Sequence, residues 1–359
     1  MTVEHARDGS GAGRRWFWRG ATLAALAGLA VWRPLARNDD AVHEFVGPTM
    51  GTTFVVSVDG ELSPDERERV RAVIDGQLDR VNRLMSTYDP GSEVSRFNRH
   101  ESTEPFPMSD EVLALLAEAR EVGERSGGAF DVTVAPLVDA WGFGATDRSG
   151  PLPEGDRLDS LLALVGFRGL ALDSDSGAVS KSEPLMRIDL SGIAQGYAAD
   201  AVAAALSGLG LSRYLVDIGG EIRAAGTRRS GRPWRVGIER PGDADGLWGT
   251  AEIRDEGVAT SGDYRNWFEE AGARYAHIVD PRTGQPIRMR GASVTVIHES
   301  ASLADAWATA LCVLGPDEGY ELAQREGLAA VFLTRSEGGL SVRLTAAMEG
   351  RASEEEIER

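Results

Sequence analysis

The sequence predicts an α+β or mixed-sheet fold run as one continuous unit, and three observations predict it. Short β-branched runs alternate irregularly with amphipathic helical runs. No internal repeat or obvious linker interrupts them. The composition, 42% hydrophobic and 26% charged over 359 residues, is that of an ordinary globular chain long enough for one large or two intimately joined domains.

The elements follow in order. Residues 1–40 read as an export signal or N-terminal anchor: charged "GRRWFWRG" precedes "ATLAALAGLAV", an apolar run too short to span a bilayer comfortably. Arg14, Arg15, Trp16 and Phe17 followed by Arg19 fit a twin-arginine signal, or a general secretory signal that happens to carry two arginines. Gly28–Ala30 offers a small-residue cleavage site, and no cysteine follows, so lipoprotein anchoring is excluded. The expected location is the periplasm or cell envelope, with membrane contact only through this segment if it is uncleaved. Residues 41–348 then form the folded domain, and 349–359 a charged, frayed tail.

Within the domain, "TTFVVSV" predicts a buried strand. Pro64 opens a helix whose Val70, Ile74, Leu78 and Val81 make a core stripe. "STYDPGSEVSRFN" reads as loop, and Ser109 as the cap of a second helix. "MRIDL" predicts a strand running into a small-residue helix, "SGIAQGYAADAVAAAL". "RYLVDIGG", "WRVGIER", "ASVTVIH" and "AAVFLT" predict further strands, and "SLADAWATALCVL" a helix ended by Gly315 and Pro316.

Several function classes fall away. A net charge of −18 argues against a nucleic-acid surface. The one cysteine, Cys312, excludes an internal disulfide and a cysteine zinc site. The single lysine, Lys181, stands in no phosphate-loop motif. An acidic protein that holds a nucleotide needs something positive in its site, and a divalent cation would serve.

Three stretches carry candidate chemistry. In "DLSGIAQGYAAD", Asp189 ends a strand before a turn and a helix N-terminus, which is a plain connection or an anion-binding corner with a carboxylate placed for a ribose or base edge. In "SLADAWATAL", Asp305 and Thr309 share a helix face one turn apart. They are either a cap and a core threonine or two hard oxygens able to grip one cation. In "SGDYRNWFEEAGARYAHIVDPRTGQP", Ser261–Asp263 reads as a turn and His277 lies in a short strand before the rigid turn "DPRTG". His277 is a solvated side chain or a base near neutral pH.

Together with "GPTMGTTF", "MSTYDPGSEVSRFN", "GGAFDVTVAPLVDAWGFG" and "YLVDIGGEIRAAG", these stretches resemble the ApbE family, the FAD:protein FMN transferases, from about Val46 to Thr334. The resemblance implies two intimately packed α+β lobes with a flavin-nucleotide cleft between them. It also implies magnesium-dependent transfer of the FMN moiety of FAD to a threonine or serine hydroxyl of an acceptor flavoprotein, an electron-transfer subunit, with release of AMP. FAD hydrolysis and non-catalytic flavin binding are its alternatives. By the same resemblance Met50, Tyr88, Ala129, Phe130, Asp131, Asp189, Gln195, His277 and Ile278 contact FAD. Gly192, Asp305 and Thr309 hold magnesium, and His277 is the catalytic base. The chain departs from the family at Gln195, where lysine is common, which leaves more charge neutralisation to the metal.

Overall fold

The computed structural model describes residues 42–354 apart from 146–149, 243–245, 265–266, 271, 290 and 337. The export-signal reading of residues 1–40 lies outside the described residues.

The chain opens on a hairpin of β1 (Val42–Thr49) and β2 (Thr52–Asp59), with Thr49 opposite Thr52. Its two-residue tip, Met50 and Gly51, has φ of 48° and 74°, the left-handed pair that lets a tight hairpin follow the strand twist. Glycine meets that demand freely and methionine does not. Helix α1 (Pro64–Met85) starts in a capping box of Ser63 and Glu66 and buries the predicted stripe. The presumed loop after it contains a short helix, α2 (Glu93–Asn98), because the Ser92 hydroxyl accepts from the Ser95 amide at 3.0 Å and caps it.

Next come β3 (Phe106–Pro107), α3 (Asp110–Arg125), a single 3-10 turn (Val132–Val134), α4 (Ala135–Trp141) and α5 (Gly155–Leu162). They lead to β4 (Leu170–Asp173), β5 (Ala178–Lys181) and α6 (Ala194–Gly208). Strands follow: β6 (Tyr214–Ile218), β7 (Glu221–Ala225), β8 (Trp234–Glu239), β9 (Leu247–Ile253), β10 (Gly257–Gly262), β11 (Trp267–Glu270), β12 (Ala273–Ala276) and β13 (Ala292–His298). The long α7 (Ala301–Glu326) kinks at Gly315 and Pro316, and β14 (Ala329–Ser336), β15 (Gly339–Leu344) and β16 (Ala352–Glu354) finish the described chain.

Eight strands form one antiparallel sheet in the order β1-β2-β6-β7-β10-β13-β14-β15, so the class is α+β. Helices α6 and α7 pack on this sheet and on each other. They approach closely at Gly196, where a Cβ would lie 2.2 Å from the Ala301 carbonyl oxygen, so only glycine permits the crossing. The main core includes Phe54, Ile74, Leu115, Leu206, Trp307 and Phe332. A second, smaller cluster of Leu137, Trp141 and Val279 lies beneath Phe143, Phe268 and Tyr275. The described residues cluster as one compact unit. Among the described residues no helix is long and apolar enough to cross a membrane.

Three local expectations are corrected. "MRIDL" is extended but joins no sheet: Asn98 holds both backbone groups of Ile188 (2.8 Å each), and the Asp189 amide donates to the Val132 carbonyl at 2.7 Å. Ser261 and Gly262 belong to β10, paired with Val294 and Ser293, rather than to a turn. Part of the charged tail is ordered, since Ala352–Glu354 adds to the edge of β9.

Candidate active site

Asp305 and Thr309 sit where α7 meets α6 and β10. Asp305 is 5% exposed, and its Oδ2 accepts from the Gly196 amide at 3.2 Å. Burial pushes its carboxyl up to about 7, with the Gly196 amide pulling weakly the other way. One turn on, Thr309 Oγ1 lies 3.2 Å from the Ser261 hydroxyl. Gly192 comes up against the same threonine: a Cβ there would sit 3.3 Å from Thr309 Oγ1 and 3.1 Å from the Phe130 ring. A side chain at Gly192 would therefore press on both Phe130 and Thr309, and either would have to yield by a few tenths of an ångström. Carboxylate, hydroxyl and backbone carbonyl are all hard oxygen donors, and they fit magnesium.

Asp189 stands on the segment leading to Gly192. Its Oδ1 accepts from the Ser191 amide at 2.9 Å, so the turn is tied by Asp189 and not by a serine cap. Burial raises its pKa first, and the nearby Asp139 raises it further. Tyr88, 67% exposed, has a raised pKa from desolvation and then from the fields of Asp189 and Asp139. Asp139 in turn accepts from Arg187 Nη1 at 2.6 Å. This acid pair with its arginine escaped the sequence reading, because residues 139 and 187 meet only through the fold.

The hairpin tip, the β6–β7 turn and the start of α6 meet one another. Thr52 Oγ1 and Gln195 Nε2 lie 3.1 and 2.9 Å from the position a Cβ would take on Gly219, whose φ is +69°. Gln195 thus packs beside the hairpin that carries Met50, and Met50 itself is half-buried against the main core.

The segment after β12 carries His277 and the predicted corner. His277 follows the strand directly and is half-buried, its ring edge-on to Phe143 with centroids 6.5 Å apart. Phe143 continues through Phe268 to Tyr275 in ring contacts of 5.1 Å each. Ile278 is buried, 9% exposed, and its carbonyl accepts from the Ile287 amide at 2.9 Å. The predicted corner is rigid: Asp280 accepts from the Arg282 amide and guanidinium (2.9–3.0 Å), the Gly284 amide closes on the Asp280 carbonyl at 2.8 Å, and the Trp141 indole donates to the Gly284 carbonyl at 2.7 Å.

The run Ala129–Asp131 divides. Ala129 is buried, and Phe130 packs on Gly192. The Asp131 carboxylate is bound up in the fold, accepting from the Thr133 amide (2.8 Å), the Thr133 hydroxyl (2.6 Å) and the Phe167 amide (2.8 Å). Phe130, Gly192, Thr309 and Ser261 are therefore brought together, as are Tyr88 and Asp189, while the Asp131 carboxylate is engaged within the fold and Ile278 lies in the core. Ser261 and Gly196 were not foreseen. Their signals, a hydroxyl at a strand end and a glycine in a small-residue helix, become legible only once β10 and α6 are set against α7.

Residues 50–332 match the family model described as the ApbE family. The chain belongs to the ApbE family. That span contains every site residue discussed above. A relative named FAD:protein FMN transferase from Vibrio cholerae is 40% identical over 318 residues, covering 88% of this chain and 94% of the relative. One of the same name from Escherichia coli K12 is 38% identical over 306 residues, covering 84% and 87%. Among solved ApbE structures, the flavin transferase ApbE from Vibrio cholerae aligns with a TM-score of 0.78 at 38% identity, over 86% of this chain and 98% of that one. The apo flavinyl transferase ApbE from Pseudomonas stutzeri aligns at 0.77 and 38%, over 88% and 98%. The ApbE fold and the α+β class of this chain therefore coincide.

Proposed function

We propose that the chain is an FAD:protein FMN transferase that moves the FMN moiety of FAD onto a threonine or serine hydroxyl of an acceptor flavoprotein, releasing AMP. The names of its relatives support flavin transfer. The observation that supports the finer reading is local: Gly192 comes up against Thr309, and Asp305, one helical turn before Thr309, is buried against the start of the helix that follows Gly192, so a carboxylate, a hydroxyl and a side-chain-free backbone lie close together. Magnesium held there would neutralise charge on the diphosphate as it is cleaved.

The remaining work falls to the chain's own side chains. Tyr88, Met50 and the Asp189 segment orient the flavin nucleotide, so that its phosphorus faces the acceptor hydroxyl. His277, braced by Phe143, takes the hydroxyl proton on a ring nitrogen. The acceptor oxygen forms a bond to the FMN phosphorus while the bond from that phosphorus to the bridging oxygen breaks, and AMP leaves with the electron pair. Gln195 contributes hydrogen bonding without charge, which suits a site whose positive charge comes from a metal. The acceptor is an electron-transfer subunit. Export through residues 1–40 would place the reaction in the periplasm or cell envelope, and recovery of the chain from that compartment checks this.

The test is incubation with FAD, magnesium and candidate acceptor proteins, read by intact-protein mass. Transfer predicts an adduct of FMN mass and an equivalent of AMP, both abolished by a chelator. His277→Ala should lower the rate about 10²–10⁴-fold while FAD still binds. Free FMN without an adduct on any acceptor would replace transfer by hydrolysis, and a wild-type rate in the variant would remove His277 as the base.

A further inference from the structure

Ser261 has no part in the reaction as described, yet its hydroxyl is set against one of the cation-facing groups. It lies near the end of β10, held in register opposite Val294, and its Oγ stands 3.2 Å from Thr309 Oγ1. Each hydroxyl has one proton and two lone pairs, so with the site empty either can donate. A divalent cation removes that freedom. A Thr309 oxygen facing a cation has a lone pair committed to it, and the cation polarises the O–H bond. The proton then needs an acceptor, and a bond to a polarised donor is stronger than one between neutral partners. Ser261 Oγ is the side-chain partner that the described residues give Thr309.

We propose that Ser261 is a positioning residue of the cation site: it accepts the Thr309 hydroxyl proton and so holds a Thr309 lone pair toward the cation. Asp305 has an outer partner of the opposite sense, the Gly196 amide, which donates to its Oδ2 at 3.2 Å. Outer partners of this kind typically change metal affinity by about 10–100-fold when removed. The inference rests on the cation site proposed above, and its test keeps the two apart.

The experiment is Mn2+ binding to the full chain, followed by loss of the free-ion electron paramagnetic resonance signal, for the wild type, Ser261→Ala, Ser261→Thr and Thr309→Val. Ser261→Ala should weaken Mn2+ about 10–100-fold, Ser261→Thr should restore it, and Thr309→Val should lose it altogether. Transfer by Ser261→Ala should recover at high magnesium, which a structural defect would not allow. Wild-type affinity in Ser261→Ala beside a loss in Thr309→Val overturns the role of Ser261 alone. Failure of Ser261→Thr to restore binding assigns the loss to packing and overturns it too. A loss in Ser261→Ala as complete as in Thr309→Val makes Ser261 a ligand instead. Wild-type affinity in Thr309→Val overturns the cation site itself.

Discussion

Acidification should strip the divalent cation from Asp305 well before it harms the fold. The carboxyl is 5% exposed, and burial pushes it up to about 7 from an ordinary aspartate value of 3.8. Below that point a cation must first displace a proton, so its apparent affinity falls about tenfold per pH unit. Between about pH 8 and pH 5 the loss is therefore about 100-fold, with one proton released per cation at the acid end. The metal-free protein should respond in the opposite sense. Its folded state holds the proton more tightly than the unfolded chain, so the stability from this group is fully present below 3.8 and is lost as pH rises through about 7. Calorimetric titration of Mg2+ or Mn2+ across this range, in two buffers of different ionisation enthalpy, counts the protons. Melting of the metal-free chain gives the stability arm. Asp305→Asn should abolish the cation binding and flatten the melting slope. A cation affinity constant from about pH 5 to 8, or a metal-free melting slope that survives in Asp305→Asn, would refute the assignment of the shifted carboxyl.

Further outcomes follow from single residues. Met50→Gly should stabilise the chain by about 1 kcal/mol, because it relieves a left-handed non-glycine residue, while weakening FAD retention; denaturant midpoint and flavin fluorescence read the two effects. Asp131→Ala should cost roughly 3 kcal/mol in urea unfolding, since it leaves three buried donors without their acceptor, and should change FAD affinity little when measured on the folded fraction. Cys312, 6% exposed with its thiol pushed up to about 12 by burial, should stay unlabelled by a maleimide under native conditions and react at the rate of unfolding in denaturant.

The sequence was most informative where chemistry is local. The Asp305–Thr309 spacing, the stripe of α1 and the Asp280–Gly284 corner all appear as read, because each is set by residues within a turn or two of one another. Reading failed where a distant partner decides. "MRIDL" has strand composition, but Asn98 and Val132 take its backbone bonds before any sheet can. Ser261–Asp263 has turn composition, but pairing with β13 straightens Ser261 and Gly262 into the sheet. The Asp131 carboxylate is claimed by amides from Thr133 nearby and Phe167 thirty-six residues on, a tie that no local pattern announces. The contacts of Ser261 with Thr309 and of Gly196 with Asp305 span 48 and 109 residues, beyond the reach of any local pattern.

The segment that bears His277 stands astride two nuclei: Val279 belongs to the small one with Leu137 and Trp141, and the neighbouring Ile278 to the main core that also holds Trp307 of α7. Delivery thus has a footing of its own while staying moored to the ground that supports grip. A loosened Trp141 would announce itself as sluggish turnover in an enzyme still fully loaded.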